Sequence, residues 1–218
     1  IQEGYGMSEN WAYGTINRID DIRFGTVGKP MREGEIKISE EGEVLIKSPA
    51  TMRGYYLDEE KTKEVIKDGY YYTGDKGEVC KDGFLKITGR IKDTFKTAKG
   101  EFITPSHIES MILDNTNIEQ VCVLGLGLPQ PVALVVLSEQ AQLRDKQNVD
   151  ETLNATYQKV NKILKSHEVL NGLLVVKEEW LPENGLMTPT LKVKRNEVAA
   201  YYQNLVQQHS EAKAVVWE

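Results

Sequence analysis

Four short segments of the 218-residue sequence carry side chains that could bind a nucleotide and its phosphates. The first is Tyr5-Gly6-Met7-Ser8-Glu9. Tyr5 offers a flat face for a purine, Gly6 permits close backbone approach, and Ser8 can donate to a phosphate. Glu9 offers the oxygen ligands that Mg²⁺ prefers. Taken alone, the segment is more typical of an ordinary turn, where glycine beside an aromatic residue is common.

The second segment is Tyr72-Thr73-Gly74-Asp75, which is predicted to end a short β-strand and enter a turn. A carboxylate in that place can accept hydrogen bonds from both hydroxyls of a ribose, as the acidic residue of dinucleotide sites does. An isolated Thr-Gly-Asp more often caps a turn. The carboxylate therefore needs support from other segments.

The third and fourth segments are cationic. Residues 89–93 include Arg90 and Lys92, and form either a solvated turn or an anion-binding joint between two domains. Lys192 follows the Thr-rich residues 188–190 and can present a compact point charge to a carboxylate or a phosphate. Considered singly, this lysine is a typical surface residue.

The first two segments lie on a predicted antiparallel β module. Short strands at 35–39, 43–47, 77–80 and 84–88 are separated by turn residues. One helix is predicted between them, from Asp58 as the N-cap to Gly69 as the stop. The joint is expected at 89–93, which gives two domains, 1–90 and 91–218.

The second domain is predicted to have an α+β arrangement. A hairpin at 95–97 and 102–103 turns at Gly100, and a helix begins at Pro105, since proline suits the first helical position. Strands are predicted at 121–124, 132–138 and 173–176, with an amphipathic helix ending near Ser166 and a final helix from Asn196.

Composition argues against two classes of partner. The net charge is −6 and no run of Lys and Arg occurs, which disfavours binding to nucleic acid or to an anionic membrane. The most apolar stretch, 121–137, is interrupted by two glycines and two prolines, and so is predicted as two strands rather than a membrane span.

Cys80 and Cys122 are expected to be reduced core thiols, and the location is expected to be cytoplasmic.

The order of the segments resembles the adenylate-forming superfamily of acyl-CoA synthetases, luciferases and adenylation domains. The resemblance covers nearly the whole chain, and residues 183–192 are most similar to the long-chain fatty acyl branch. The matching motifs, in order, are Tyr5-Gly6-Met7-Ser8-Glu9, Arg53-Gly54-Tyr55-Tyr56, Tyr72-Thr73-Gly74-Asp75, Gly89-Arg90 and the late Lys192.

The resemblance implies a fold and a reaction. The fold is α+β: a small antiparallel β-barrel-like module, which ends the large N-terminal domain, followed by a mobile α+β C-terminal lid domain. The enzyme would be an AMP-forming acid-thiol ligase that adenylates a fatty acid with ATP and Mg²⁺ and transfers the acyl group to CoA. Peripheral membrane association of the full-length enzyme is a further option, and no nucleic-acid partner is expected.

The resemblance also assigns roles to residues. Tyr5 would stack on adenine beside Gly6, Ser8 would contact the α-phosphate and Glu9 would bind Mg²⁺. Asp75 and Arg90 would hold the ribose.

Lys192 would be the catalytic lysine, bridging the carboxylate and the α-phosphate, with Lys194 as the competing candidate. Lys92 would be the hinge, and Gly100 would reach the CoA channel. The sequence departs from the commonest family pattern in having Thr-Pro-Thr-Leu-Lys in place of Ser-Gly-Lys, and Ser8 in place of threonine.

Alternatives stay open at this point. The family's phosphate loop and acyl pocket would lie upstream of Tyr5, so the chain alone is expected to be inactive. A fatty acyl-AMP ligase, a carboxylic acid reductase or a peptide-synthetase adenylation domain would use a different acceptor. From another class, the chain could be a non-catalytic binding module.

Overall fold

The computed structural model describes residues 2–218, which form two compact units divided between Lys92 and Asp93. The division falls in a turn that follows the last strand of the first unit. Within 2–218, no helix has both the length and the apolar character needed to cross a membrane.

The first unit contains two antiparallel sheets. The smaller sheet has three strands in sequence order, β1 (Gly4–Tyr5), β2 (Thr15–Ile16) and β3 (Lys29–Pro30). The strands of the larger sheet are β4 (Glu35–Ile38), β5 (Glu43–Lys47), β6 (Ile66–Lys67), β7 (Tyr70–Val79) and β8 (Leu85–Arg90). The long strand β7 pairs with β5, β6 and β8. The predicted antiparallel character of this unit is confirmed.

Helix α1 (Glu59–Val65) is shorter than predicted. Its N-cap is Asp58 as expected, since the Asp58 carboxylate accepts a hydrogen bond from the backbone N–H of Lys61 at 3.0 Å. The predicted stop at Gly69 is wrong. The helix ends at Val65, and the next two residues form β6, in keeping with the strand preference of β-branched residues. Gly69, with φ of 78°, turns the chain into β7 instead.

The core of the first unit is small. Val44 and Ile46 of β5 and Leu85 of β8 are buried together. Tyr5 and Met7 pack against them. The motif that the sequence predicted for nucleotide binding is therefore anchored on this core.

The second unit is built on a mixed four-stranded sheet. Its order is β11 (Ile118–Leu124), β12 (Val132–Leu137), β13 (Gly172–Val176) and β14 (Ala214–Trp217), preceded in the chain by the hairpin β9 (Phe95–Lys96) and β10 (Phe102–Ile103). The first pair in the sheet is antiparallel and the other two are parallel. The hairpin turning at Gly100 is confirmed.

Both faces of the mixed sheet are covered by helices. Alternate residues of β12 enter opposite cores, so that Val135 lies in one and Leu134 in the other, which explains the unbroken apolar run. The helices are α2 (Pro105–Leu113), α3 (Glu139–Gln142), α4 (Lys146–Ile163), α5 (Arg195–Tyr201) and α6 (Gln203–His209). The buried residues of α2, α3 and α4 belong to one core, and those of α5 and α6 belong to the other.

Two features of the second unit differ from the prediction. The final helix is interrupted at Tyr202, which separates α5 from α6. Strand β14 was not predicted, and it completes the sheet by pairing in parallel with β13. The helix beginning at Pro105 is confirmed, with proline in its first turn.

Candidate active site

Asp75 is the centre of a cluster in the first unit. Strands β7 and β8 pair so that Asp75 lies opposite Arg90, and Arg90 Nε is 3.0 Å from Asp75 Oδ1. The hydroxyl of Tyr5 donates to Asp75 Oδ2 at 2.6 Å. Three residues that the sequence assigned to one nucleotide are thus brought together, although Tyr5 and Asp75 are 70 positions apart.

Asp75 does not lie where the sequence placed it. The predicted position, at the end of a short strand, is wrong, because the residue is inside the ten-residue strand β7. The strand is locally irregular: Gly74 has φ of 74°, and the pairing with β8 shifts register after Lys76. The backbone N–H of Asp75 donates to Thr73 Oγ1 at 3.1 Å. Such local irregularities in a strand change the direction of a side chain, and they are common near functional sites.

The carboxylate of Asp75 is buried but can still accept further hydrogen bonds. A carboxylate accepts at about four lone-pair positions, and Tyr5 and Arg90 each bind one of its oxygens. Burial, and then the hydrogen bond to Asp75, raise the pKa of Tyr5, so its hydroxyl remains a donor at neutral pH. The remaining positions suit two further donors, such as a vicinal diol.

The loop after Tyr5 is tightly folded. A short 3₁₀ helix spans Ser8–Asn10, and the N–H of Met7 donates to Asn10 Oδ1 at 2.9 Å. A Cβ on Gly6 would lie 2.5 Å from the backbone of Ala12, so only glycine fits. Ser8 is exposed and therefore accessible to a ligand.

Glu9 is half-buried and is bound by a tyrosine that the sequence left without a role. Tyr55 donates its hydroxyl to Glu9 Oε1 at 2.9 Å. Burial, followed by interactions with Tyr55 and Glu9, raises the pKa of the nearby Tyr71. The motif around Tyr55 was visible in the sequence, but its contact with a residue 46 positions away was not.

Glu9 can serve as the one protein carboxylate that coordinates Mg²⁺. Mg²⁺ keeps several waters and is commonly bound by one or two carboxylates together with substrate phosphates. No group of three or more acidic, His or Cys side chains that could form a complete metal site occurs in the described part of the chain. The donor set therefore fits a metal that arrives with a nucleotide rather than one held by protein alone.

Lys192 lies in the second unit on a tight loop. The N–H of Thr188 donates to the carbonyl of Lys192 at 2.8 Å, and the N–H of Lys192 donates to Thr188 Oγ1 at 3.1 Å. Leu191, with φ of 56°, makes the turn left-handed. The side chains of Lys192 and Lys194 are both exposed. The loop fixes the backbone of Lys192 while its charge stays accessible.

Arg195 anchors the end of this loop, a contact that the sequence did not reveal. Its Nη1 and Nη2 bind the two carboxylate oxygens of Glu109 on α2, at 2.5 and 3.1 Å. Nη1 also donates to the carbonyl of Val123 at 2.7 Å. Burial raises the pKa of the neighbouring Cys122 thiol to about 12, and Cys122 is a core thiol as predicted. The same prediction is wrong for Cys80, which is only half-buried.

Two further predicted residues lie in turns. Lys92 is exposed and is the last residue of the first unit. Gly100 has φ of 86° at the tip of the hairpin, and its N–H donates to the carbonyl of Thr97 at 3.0 Å. Gly100 and Lys192 belong to the second unit, whereas Tyr5, Asp75 and Arg90 belong to the first.

The family is shown by the second unit. A family model described as the AMP-binding enzyme C-terminal domain matches residues 92–213. The chain therefore belongs to the AMP-binding enzymes and contains their C-terminal domain.

Within this class, the chain is similar to long-chain-fatty-acid–CoA ligases. Long-chain-fatty-acid–CoA ligase FadD15 of Mycobacterium bovis is 32% identical over 216 residues, covering 91% of this chain and 36% of the relative. Long-chain-fatty-acid–CoA ligase 5 of Rattus norvegicus is 35% identical over 236 residues, covering 94% of this chain and 35% of the relative. The chain spans about a third of the length of these relatives. The predicted resemblance is confirmed.

Solved structures support the fold. The adenylation domain of a carboxylate reductase from Mycobacterium chelonae has a TM-score of 0.73 and 25% identity, covering 95% of this chain and 34% of that one. An anthranilate CoA ligase in complex with anthranoyl-AMP has a TM-score of 0.72 and 24% identity, covering 92% of this chain and 39% of that one. The mixed α+β fold, similar to adenylate-forming enzymes, is thereby confirmed.

Proposed function

We propose that the chain is the C-terminal part of an ATP-dependent long-chain fatty acid–CoA ligase. The observation that carries this proposal is the cluster of Tyr5, Asp75 and Arg90, which joins three separate motifs around one buried carboxylate. The similarity to long-chain-fatty-acid–CoA ligases supplies the substrate class. The proposed partners are a fatty acid, ATP and CoA, and the proposed location is cytoplasmic, with peripheral membrane association as an option.

The first unit would bind the nucleotide. Asp75 would accept hydrogen bonds from the ribose hydroxyls, and Arg90 would hold the Asp75 carboxylate in place. The ring of Tyr5 would stack on adenine, while Gly6 lets the backbone approach and the exposed Ser8 donates to the α-phosphate.

Glu9 would hold Mg²⁺ together with the phosphates of ATP. A divalent cation there neutralises phosphate charge during nucleotidyl transfer. The half-buried carboxylate of Glu9 and its tyrosine partners provide the protein's share of that binding.

Lys192 would act in adenylation, when the fatty acid carboxylate attacks the α-phosphate and pyrophosphate leaves. A lysine near that phosphate stabilises the negative charge of the transition state. The tight loop from Thr188 to Lys192 fixes the base of this side chain, which limits the reorganisation needed at the moment of reaction.

The second unit would act as a lid that turns about Lys92 between the two half-reactions. After adenylation, rotation would remove Lys192 and bring Gly100 to the CoA channel. The thiol of CoA would then displace AMP from the acyl-adenylate. The domains proposed for these roles are 1–90, the β part of the large domain, and 91–218, the lid.

A different acceptor is the second candidate. It is favoured by the similarity to the adenylation domain of a carboxylate reductase. Adenylation would be the same in that enzyme or in a fatty acyl-AMP ligase, and only the use of CoA would differ.

The test is an assay of AMP release by the full-length enzyme, with and without CoA, across acids of increasing chain length. CoA-dependent release that is strongest with long-chain acids supports the proposal. Accumulation of acyl-adenylate without use of CoA would favour the second candidate. No adenylation with any acid would contradict both and leave a non-catalytic binding module. The 218-residue chain, assayed alone, is expected to show no turnover.

A further inference from the structure

Tyr55 belongs to a segment that binds Glu9 at two points. The Tyr55 hydroxyl donates to Glu9 Oε1 at 2.9 Å, and the backbone N–H of Met52 donates to the carbonyl of Glu9 at 2.7 Å. One segment thus constrains both the backbone and the side chain of Glu9.

This segment is itself held firmly. The N–H of Tyr55 donates to Thr62 Oγ1 at 2.9 Å, and Thr62 Oγ1 donates to the carbonyl of Asp58 at 2.7 Å. A Cβ on Gly54 would lie 2.8 Å from Thr62 Cγ2, so glycine is required beside the tyrosine. The ammonium of Lys61 lies 4.5 Å from the centroid of the Tyr55 ring. The position of the Tyr55 ring is therefore fixed by contacts other than its hydrogen bond to Glu9.

A second tyrosine supports the first from another element. Tyr71 lies on β7, is only 6% exposed, and interacts with both Tyr55 and Glu9. Tyr71 is thus a buried tyrosine close to the Tyr55–Glu9 hydrogen bond, and it belongs to a different element of the first unit.

We propose that Tyr55, supported by Tyr71, is a positioning residue that orients the Glu9 carboxylate for Mg²⁺. The inference rests on the proposed function, in which Glu9 binds the metal that accompanies ATP. A hydrogen bond to one carboxylate oxygen restricts rotation of a flexible side chain and leaves further lone pairs for a cation. Within the Arg53-Gly54-Tyr55-Tyr56 motif, this gives Tyr55 alone a role in metal binding.

The experiment compares Tyr55→Phe with the wild type in the full-length enzyme. Mn²⁺ serves as the probe, and its binding is measured by electron paramagnetic resonance with a non-hydrolysable ATP analogue present. The variant should bind Mn²⁺ about 10-fold more weakly, the lower end of the range for loss of a hydrogen bond to a metal ligand. The Mg²⁺ concentration that gives half-maximal adenylation should rise in parallel, and excess Mg²⁺ should restore most of the rate.

Tyr56→Phe is the matched control, because Tyr56 is the next residue and its side chain is 91% exposed. It should leave Mn²⁺ binding unchanged. Tyr71→Phe is the second variant, and it should weaken Mn²⁺ binding less than Tyr55→Phe does. Binding of the analogue without metal and the melting temperature are measured for every variant.

Equal Mn²⁺ affinity in Tyr55→Phe and Tyr56→Phe would overturn the inference. So would an equal loss of analogue binding with and without metal, since that would show general damage to the site. If Tyr55→Phe does not fold, Tyr71→Phe decides the question by the same comparison. If the wild type binds neither the analogue nor Mn²⁺ with it, the proposed function itself fails, which is a different result from a failure confined to the variants.

Discussion

Arg195 and Glu109 form a two-pronged ion pair between the end of the Lys192 loop and helix α2, although they are 86 positions apart. Their side chains are 21% and 14% exposed, so the pair is largely withdrawn from water. The same Glu109 oxygen that binds Arg195 at 2.5 Å also accepts the N–H of Val123 at 2.8 Å. The pair therefore ties together a loop, a helix and a strand.

Glu109→Ala should strongly destabilise the second unit. Removing one partner leaves the guanidinium of Arg195 buried without its counter-charge, which costs about 3–5 kcal/mol for buried pairs. The free energy of unfolding is measured by urea denaturation of the 218-residue chain. Glu119→Ala is the control, because Glu119 is exposed on β11 and its loss should change stability by less than about 0.5 kcal/mol. Equal effects of the two changes would mean that the ion pair contributes little.

Asp75→Asn should weaken nucleotide binding. The amide keeps the shape of the carboxylate but loses the charge that binds Arg90 and one of its acceptor positions. Affinity for ATP should fall about 10-fold, since a hydrogen bond to a charged group contributes about 1.5–3 kcal/mol. The measurement is calorimetric titration of the full-length enzyme. Asp82→Asn, at an exposed ion pair with Arg23, should bind ATP like the wild type.

Lys192→Ala should slow adenylation by about 10²–10³-fold in the full-length enzyme, the scale for loss of one electrostatic donor. Thioester formation from a supplied acyl-adenylate should survive, because the role proposed for this lysine is confined to the first half-reaction. The two half-reactions are measured separately by pyrophosphate release and by thioester yield.

Lys194→Ala is the control for the lysine. Its backbone N–H donates to the carbonyl of Leu186 at 2.9 Å and its side chain is exposed, so its loss should change either rate little. Alternate residues of an extended segment share a face, so spacing alone does not separate Lys192 from Lys194. An adenylation defect in Lys194→Ala with a normal Lys192→Ala would move the catalytic assignment by two residues.

Lys92→Pro should impair thioester formation and leave adenylation nearly intact. Proline fixes φ near −65°, which would block the rotation proposed at this residue. Lys92→Ala removes the charge without fixing the backbone and should support both half-reactions. The same separate assays apply. Equal loss of both half-reactions in Lys92→Pro would contradict a hinge at this position.

Cys122 should make the chain less stable at high pH. Burial raises the pKa of the folded thiol to about 12, whereas an unfolded cysteine ionises near about 8.5. The stability due to the buried neutral thiol is fully present below the unfolded pKa and declines as pH rises toward the folded value. Between these values the unfolded state has released a proton that the folded state retains.

The measurement for Cys122 is the free energy of unfolding of the 218-residue chain at a series of pH values above 8. Cys122→Ala should reduce the downward slope by about 1.4 kcal/mol per pH unit, the effect of one proton. Cys80→Ala is the control, because Cys80 is only half-buried. Identical slopes in the wild type and Cys122→Ala would contradict the raised pKa.

Local patterns predicted more of the fold than long-range ones did. Asp58 and Pro105 mark helix starts through interactions within one turn, so they could be identified from neighbouring residues. Strand β14 could not, because it depends on parallel pairing with a strand about 40 residues earlier in the chain. The helix stop at Gly69 failed because pairing of Ile66 with Tyr71 competes with helix extension.

In the candidate site too, local motifs could be predicted from the sequence and long-range contacts could not. Tyr5, Asp75 and Arg90 were identified because each lies in a motif with a recognisable order. The contacts of Tyr55 with Glu9 and of Arg195 with Glu109 were missed, since side chains 46 and 86 positions apart leave no mark in local spacing. The motifs thus indicated the groups that we propose to contact a ligand, but not the residues that hold those groups in place.

Strand β12, whose two faces are both buried, affects how the chain reaches its native state. Its sequence, residues 132–137, has no charge and no proline and is rich in valine, the composition that promotes intermolecular β-pairing. Strand β11 is near in sequence and can protect one edge early, but the other edge is protected only when Gly172–Val176 has been synthesised and docked. Until then the nascent chain exposes an unpaired strand edge that can pair with other chains and aggregate. The yield of folded protein in a cell therefore depends on how quickly β13 pairs with that edge.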